Sequence, residues 1–133
     1  MTLVDSSVWI DYFRGVSNLC TERLDELLDQ VEEEVGVADL VVFEVLRGFT
    51  APKAQRQAQA MLLSTTVVDI GGLDSALQAA ALYRRLREAG RNVRSPIDVL
   101  LASYCITHGH TLLHRDADFE SLKTLGGLNT WPQ

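Results

Sequence analysis

The sequence is poor in the residues that tie a chain to a disulfide scaffold or a membrane. Its two cysteines, Cys20 and Cys105, lie far apart and form no C-x-x-C pair. That leaves no disulfide framework or cysteine metal knuckle, and both are expected to be reduced thiols in apolar surroundings. Three prolines and nine glycines leave no linker or low-complexity segment, and no internal repeat is visible. No apolar run approaches the roughly 20 residues that a membrane span needs, so no membrane association is expected. The first residues lack a basic segment followed by an apolar one, so no secretory signal is expected and the expected compartment is cytoplasmic. Positive charge is scarce too. Twelve Lys and Arg face 18 Asp and Glu, for a net charge of −6. A passive nucleic-acid coat is usually basic, so this class is disfavoured. An enzyme that gathers its acids at a metal site is not, because bound cations reverse the local field.

What is present is an ordinary globular composition, 47% hydrophobic and 23% charged over 133 residues. One domain with one core, residues 1–133, is the expectation. Met1 to Val4 reads as a short buried strand, with Ser6 or Ser7 as N-cap of an amphipathic stretch from Val8 to Arg14. Leu19 to Glu34 reads as a helix, with Thr21 as its expected N-cap near the start and Leu24, Leu27, Leu28 and Val31 on one face. Val35 to Ala38 is a second strand, and Asp39 is expected to cap a helix from Leu40 to Gly48. Ala51 to Leu63 is helical with Pro52 in its first turn, and Thr65 to Ile70 is a β-branched strand. Leu73 to Ala89 is the longest helix, where Leu73, Ala76, Leu77, Ala80 and Tyr83 follow an i, i+3, i+4, i+7 pattern. A helix from Ser95-Pro96 to His108 stops at Gly109, and His110 to His114 is a fourth strand. Asp116 to Lys123 reads as a short helix or turn, and Leu128 to Trp131 as an edge strand. Strands alternating with helices predict an α/β fold, with a four- or five-stranded, mostly parallel sheet flanked by helices.

Carboxylates stand out against this frame. Asp5 ends a buried strand, facing the sheet edge where open α/β sheets bind ligands, although a capping aspartate explains it as well. Glu44 sits in the nearly apolar run Leu40-Val41-Val42-Phe43-Glu44-Val45-Leu46, where a carboxylate is costly unless paired or metal-bound. Arg47 offers the alternative of a local ion pair. Asp98 has capping-box spacing from Ser95, a role compatible with metal binding. Asp116 follows the fourth strand as Asp5 follows the first, and Asp118 comes two residues later; either would also serve as a turn-capping aspartate. Oxygen-only clusters of this kind select Mg²⁺ or Mn²⁺, which activate water and neutralise a phosphodiester. No Walker A sequence is present. A second aspartate two residues after Asp5 is missing, which argues against an aspartyl-phosphate phosphatase. His108, His110 and His114 cluster around the fourth strand, but further ligands at zinc spacing are lacking, and surface or strand-end histidines are the simpler expectation.

Four pieces taken together resemble the PIN-domain ribonucleases, and within them the VapC-type toxins of bacterial toxin–antitoxin pairs. They are Leu3 to Ile10, Glu44 with Leu46 and Gly48, Asp98-Val99-Leu100-Leu101-Ala102, and His114-Arg115-Asp116-Ala117-Asp118-Phe119. The resemblance covers nearly the whole chain. It implies a PIN fold, Mg²⁺-dependent endoribonuclease activity (with Mn²⁺ also accepted) and a homodimer. It also implies a VapB-type antitoxin whose C-terminal segment occupies the acidic groove, in a heterotetramer or larger assembly. Asp5, Glu44, Asp98 and Asp116 match the family's acidic quartet, Asp118 a less constant extra acid, and Ser6 a supporting hydroxyl position. On that footing Asp5, Asp98 and Asp116 are expected to hold the metal. Glu44 is expected to reach it through water or to orient the attacking water. A basic rim of Arg84, Arg85, Arg87, Arg91 and Arg94 would meet the RNA substrate, with Arg91 and Arg94 nearest in sequence to Asp98, although a solvated helix face explains these residues too. Two other classes remain open: a non-catalytic module whose acidic groove holds a basic peptide, and a DNA or flap nuclease of the same fold.

Overall fold

The computed structural model describes residues 1–93 and 95–131. Five short strands, β1 (Thr2–Val4), β2 (Val35–Ala38), β3 (Thr66–Val68), β4 (Thr111–Leu113) and β5 (Asn129–Trp131), form one sheet in the order β3-β2-β1-β4-β5. Every neighbouring pair is parallel, as βαβ connections require. The helices are α1 (Ser6–Phe13), α2 (Leu19–Asp29), α3 (Asp39–Leu46), α4 (Pro52–Leu63), α5 (Leu73–Glu88), α6 (Pro96–His108) and α7 (Phe119–Gly126). From β1 the chain winds outward through β2 to β3, then crosses back through α5 and α6 to lay β4 against the other side of β1. The carboxyl ends of β1 and β4 therefore flank the point where the winding reverses, the usual ligand crevice of an open parallel sheet.

Burial on both faces explains the strand sequences. All of Val35-Gly36-Val37-Ala38 is buried. Gly36 is required by space: a Cβ there would stand 2.7 Å from Met1 Sδ, 2.8 Å from Leu3 Cδ2 and 2.9 Å from the Thr66 carbonyl oxygen. Leu3, Val4, Val37, Leu112 and Leu113 meet Val8, Trp9, Val41, Leu82, Leu86 and Leu101 in one core. Both cysteines are free and buried, and burial pushes the Cys105 thiol up to about 12.

Several local expectations are corrected. The N-cap of α1 is Asp5 rather than Ser6 or Ser7, because its carboxylate reaches the Ser7 N–H. Asn18, not Thr21, caps α2, with Thr21 returning a bond to the Asn18 N–H in a reciprocal capping box. That helix ends at Asp29, so Val31 lies outside it and is fully exposed. Asp39 is the first residue of α3 rather than its cap, and its Oδ1 accepts the Ile70 N–H at 2.8 Å. The pattern on α5 selects the wrong face. Leu73 and Leu77 are 75% and 62% exposed, whereas Ala79, Leu82 and Leu86 pack inward. This alanine-rich helix has two apolar stripes, and periodicity alone does not choose between them. Among the described residues no helix is long and apolar enough to cross a membrane.

Candidate functional site

The strand pairing runs one residue past β1, where the Asp5 N–H donates to the Leu113 carbonyl at 2.9 Å. The chain then turns into α1, and Asp5 closes the turn. Its Oδ2 accepts the Ser7 N–H at 3.2 Å and the Ser7 hydroxyl at 2.6 Å. Its Oδ1 is buried and has no hydrogen-bond partner among the described residues. Burial raises the Asp5 carboxyl above its ordinary range; bonds from Ser7 and Ser6 oppose this, and Asp116 adds to it.

Glu44 projects from α3, half-buried, and its Oε1 is likewise buried and unpartnered. Burial raises its pKa first and the Asp5 charge second, while the Ser6 hydroxyl and the Arg47 guanidinium pull it down. Arg47 makes no ion pair with it. Among the described residues the ion pairs are Arg23–Glu26, Arg84–Glu88 and Arg115–Asp11. Arg47 instead lies over the Phe43 ring, 5.7 Å from its centroid.

Asp98 occupies the first turn of α6, where Ser95 Oγ accepts its N–H at 3.4 Å. Only that half of the capping box forms, and the buried Asp98 carboxyl stands among other acids. Burial, followed by the charges of Asp5, Asp116, Glu44 and Asp118, pushes it up to about 7. Beyond β4, the Asp116 N–H donates to His114 Nδ1 at 3.2 Å, and the Asp118 N–H donates to Asp116 Oδ1 at 3.0 Å. One oxygen each from Asp98, Asp116 and Asp118 lies within 4.8 Å of the others.

This donor set fits a hard divalent cation. It is all oxygen, three carboxylates converge within reach of one ion, and two buried carboxylate oxygens beside them lack partners. Like charges so close oppose one another until a proton or a cation arrives. The five acids of the sequence reading thus come to one crevice, with Asp98, Asp116 and Asp118 tightest and Asp5 and Glu44 coupled to them electrostatically. Ser6 stands beside Glu44.

The described arginines of the expected rim are not drawn in. Arg91 is exposed after α5, with no hydrogen bond or ion pair to these acids among the described residues. Arg94 lies outside the described residues. Arg84 pairs with Glu88, Arg85 donates to the Leu125 carbonyl, and Arg87 covers Tyr83. His110 and His114 flank opposite ends of β4, so the three histidines do not converge. His108 and His110 gather near Tyr104 instead.

Sequence reasoning missed three supports of this site. Ser7 holds Asp5, His114 holds the Asp116 backbone, and Arg115 binds Asp11 at 2.8 Å from the loop between them. An acid at a strand end with a hydroxyl two residues on is a readable signal for the first. A histidine two residues before an acid is a weaker one for the second.

Comparison with known proteins agrees with this architecture. The PIN domain family model matches residues 2–125. "Ribonuclease VapC11" of Mycobacterium tuberculosis is 28% identical over 128 residues, covering 96% of each chain. A crystal structure of VapBC2 from Rickettsia felis, bound to a DNA fragment from their promoter, superposes with a TM-score of 0.76 at 15% identity. It covers 97% of this chain and 96% of that one. Mycobacterium tuberculosis VapC20, a Sarcin-Ricin loop cleaving toxin, superposes with a TM-score of 0.70 at 20% identity, covering 91% and 94%. The family match runs from β1 into α7 and takes in every acid of the crevice, and the chain belongs to the PIN domain family.

Proposed function

We propose that the whole chain, residues 1–133, acts as one PIN domain and as a VapC-type ribonuclease, the toxin of a VapBC-type pair. The observation that carries this is the convergence of Asp98, Asp116 and Asp118 beside the unpartnered oxygens of Asp5 and Glu44. The VapC ribonuclease relatives, alike over 96% of the chain, support the toxin assignment.

Asp5, Asp98 and Asp116 would hold the cation, Mg²⁺ or Mn²⁺, with Asp118 as a further ligand. When bound, such an ion neutralises charge on the phosphodiester and lowers the pKa of water. Ser7 fixes the Asp5 carboxylate so that its free oxygen faces the crevice. Glu44 orients the attacking water and accepts its proton, a task for which its raised pKa suits it. Ser6 steadies Glu44. In-line attack of that water on phosphorus breaks the P–O3′ bond and leaves a 5′-phosphate, and the departing 3′-oxygen takes a proton from solvent to become a 3′-hydroxyl. Arg91 and Arg94 are the residues proposed to contact the RNA backbone.

The protein partner is a VapB-type antitoxin with a basic tail, on a toxin homodimer assembled as a heterotetramer or larger complex in the cytoplasm. Its apolar contacts fall on Tyr12, Phe13, Val42 and Phe43. Trp9 is fully buried and not available to it. A cleft of about 300 Å³ between α1, α3 and α4, lined by Ile10, Phe13, Val45 and Phe49, adjoins these side chains. One Arg or Lys of the tail stands in for the cation among the acids.

The test is incubation of a mixed RNA pool with Mg²⁺, with Mn²⁺ and with chelator. Wild type cuts only with metal, and a folded Asp98→Asn protein does not cut. If wild type binds a basic peptide but leaves RNA intact at every metal concentration, it is a binding module and the ribonuclease assignment fails.

A further inference from the structure

His114 is buried at the carboxyl end of β4, its ring 4.8 Å from that of Phe119. Such a position ordinarily suits an apolar residue. Histidine there carries a cost, because its Nε2 is buried with no hydrogen-bond partner among the described residues. Nδ1 is occupied. It accepts the Asp116 N–H at 3.2 Å, which requires the neutral tautomer with its proton on Nε2. Asp118 then hangs from Asp116, through its N–H to Asp116 Oδ1. The ring is therefore the first link of a chain that ends at the two carboxylates converging on Asp98.

The neighbouring residues tie the same loop from other sides. Cys20 Sγ donates to the His114 carbonyl at 3.5 Å. Arg115 Nε meets Asp11 Oδ2 at 2.8 Å, and that oxygen also accepts from Asn18 Nδ2 at 3.1 Å. These bonds fix the start of the loop to α1 and α2. The His114 ring instead reaches forward, to the backbone of Asp116 itself.

We propose that His114 is a positioning residue of the acid site: through Nδ1, as the Nε2–H tautomer, it sets the backbone of Asp116 and so brings Asp116 and Asp118 to Asp98. This rests on the metal site proposed above, and it predicts a dissociation that a packing role does not. His114→Asn places an acceptor oxygen where Nδ1 stands, and Asn accepts readily from the N–H two residues on. It loses the ring contact with Phe119 and so melts lower. His114→Leu keeps apolar volume and removes the orphaned Nε2–H, so it melts at or above His114→Asn, but it has no acceptor.

Mn²⁺ affinity by calorimetry, thermal melting, and ¹⁵N shifts and amide exchange of the metal-free protein give the test. His114→Leu should bind Mn²⁺ about 10- to 100-fold more weakly than wild type, the size of effect typical of a lost supporting residue. His114→Asn should bind more tightly than His114→Leu despite melting lower. Wild-type Nδ1 should show an unprotonated shift, and the Asp116 amide should lose exchange protection in His114→Leu but keep it in His114→Asn. If affinity follows melting temperature across the three proteins, or if the proton sits on Nδ1, the positioning role is overturned. If wild type binds no Mn²⁺ at all, the metal site fails, while the ¹⁵N and exchange data still decide whether His114 holds the loop.

Discussion

The junctions after β1 and after β4 are neighbours in one parallel sheet, and each delivers a carboxylate to the same crevice by different means. After β1 the acid is the helix cap itself. Asp5 gives one oxygen to Ser7 and keeps the other, buried and unpartnered, for the site. After β4 the chain runs two residues further before Asp116, and α7 begins only at Phe119. There a histidine ring and a backbone N–H take the place of a helix turn. The first carboxylate is fixed by secondary structure and needs little help. The second stands on a loop whose shape depends on side chains with no other evident task.

Replacing each acid in two ways breaks this comparison open. Asp5→Asn and Asp116→Asn should each lower metal-dependent cleavage by at least about 100-fold, since each removes a charge from the proposed metal site. Alanine separates them. Asp5→Ala also removes an N-cap, so it should be less stable than Asp5→Asn by about 0.5–2 kcal/mol in denaturant unfolding. The same pair at Asp116 should differ by less. Equal differences at the two sites would mean that the Asp5 cap contributes nothing special.

Glu44 sharpens the comparison from a third element, since it reaches the crevice from inside a helix. Glu44→Gln should weaken Mn²⁺ binding about tenfold and lower cleavage, with melting temperature unchanged or raised. A drop in stability with metal affinity intact would return Glu44 to the role of an Arg47 partner.

The smallest expected effect is a slope. Asp98 rises from 3.8 to about 7 on folding, so its proton is held more tightly in the folded state. Its contribution to stability is fully present below about pH 4 and is lost as pH rises through about 7. Asp5 and Glu44, raised as well, act in the same direction. Metal-free protein should therefore lose stability between pH 4 and 7, and Asp98→Asn should flatten part of that loss. Saturating Mn²⁺ should reverse the trend, because the cation binds the ionised form. A metal-free stability that rises over this range in wild type would remove the electrostatic account of the site.

The acids were legible in the sequence because each interrupts a pattern that otherwise explains its neighbours. Asp5 and Asp116 end apolar strands, and Glu44 sits in an apolar helix. The alternating elements were legible for the same reason, and the sheet is parallel throughout, as a βαβ pattern demands. What was not legible depends on tertiary choice. On α5 the exposed stripe through Leu77 looks as apolar as the packed one through Leu82. At α2 the helix stops at Asp29, so the apolar residue that extended the pattern, Val31, faces water. His114 and Ser7 gain meaning only once a fold puts them beside an acid.

The crossover that lays β4 against β1 also sets a timetable. A chain emerging from the ribosome presents Asp5, then Glu44, then Asp98, each on an element that has formed or is forming. None of this completes the crevice. β1 finds its second neighbour, and Asp98 the two acids that converge with it, only when residues 111–118 have emerged. Contacts so distant along the chain form late. The acid cluster is thus withheld until residues 111–118 have emerged, and a nascent or truncated chain lacking that stretch carries most of the charge of residues 1–133 but not the site.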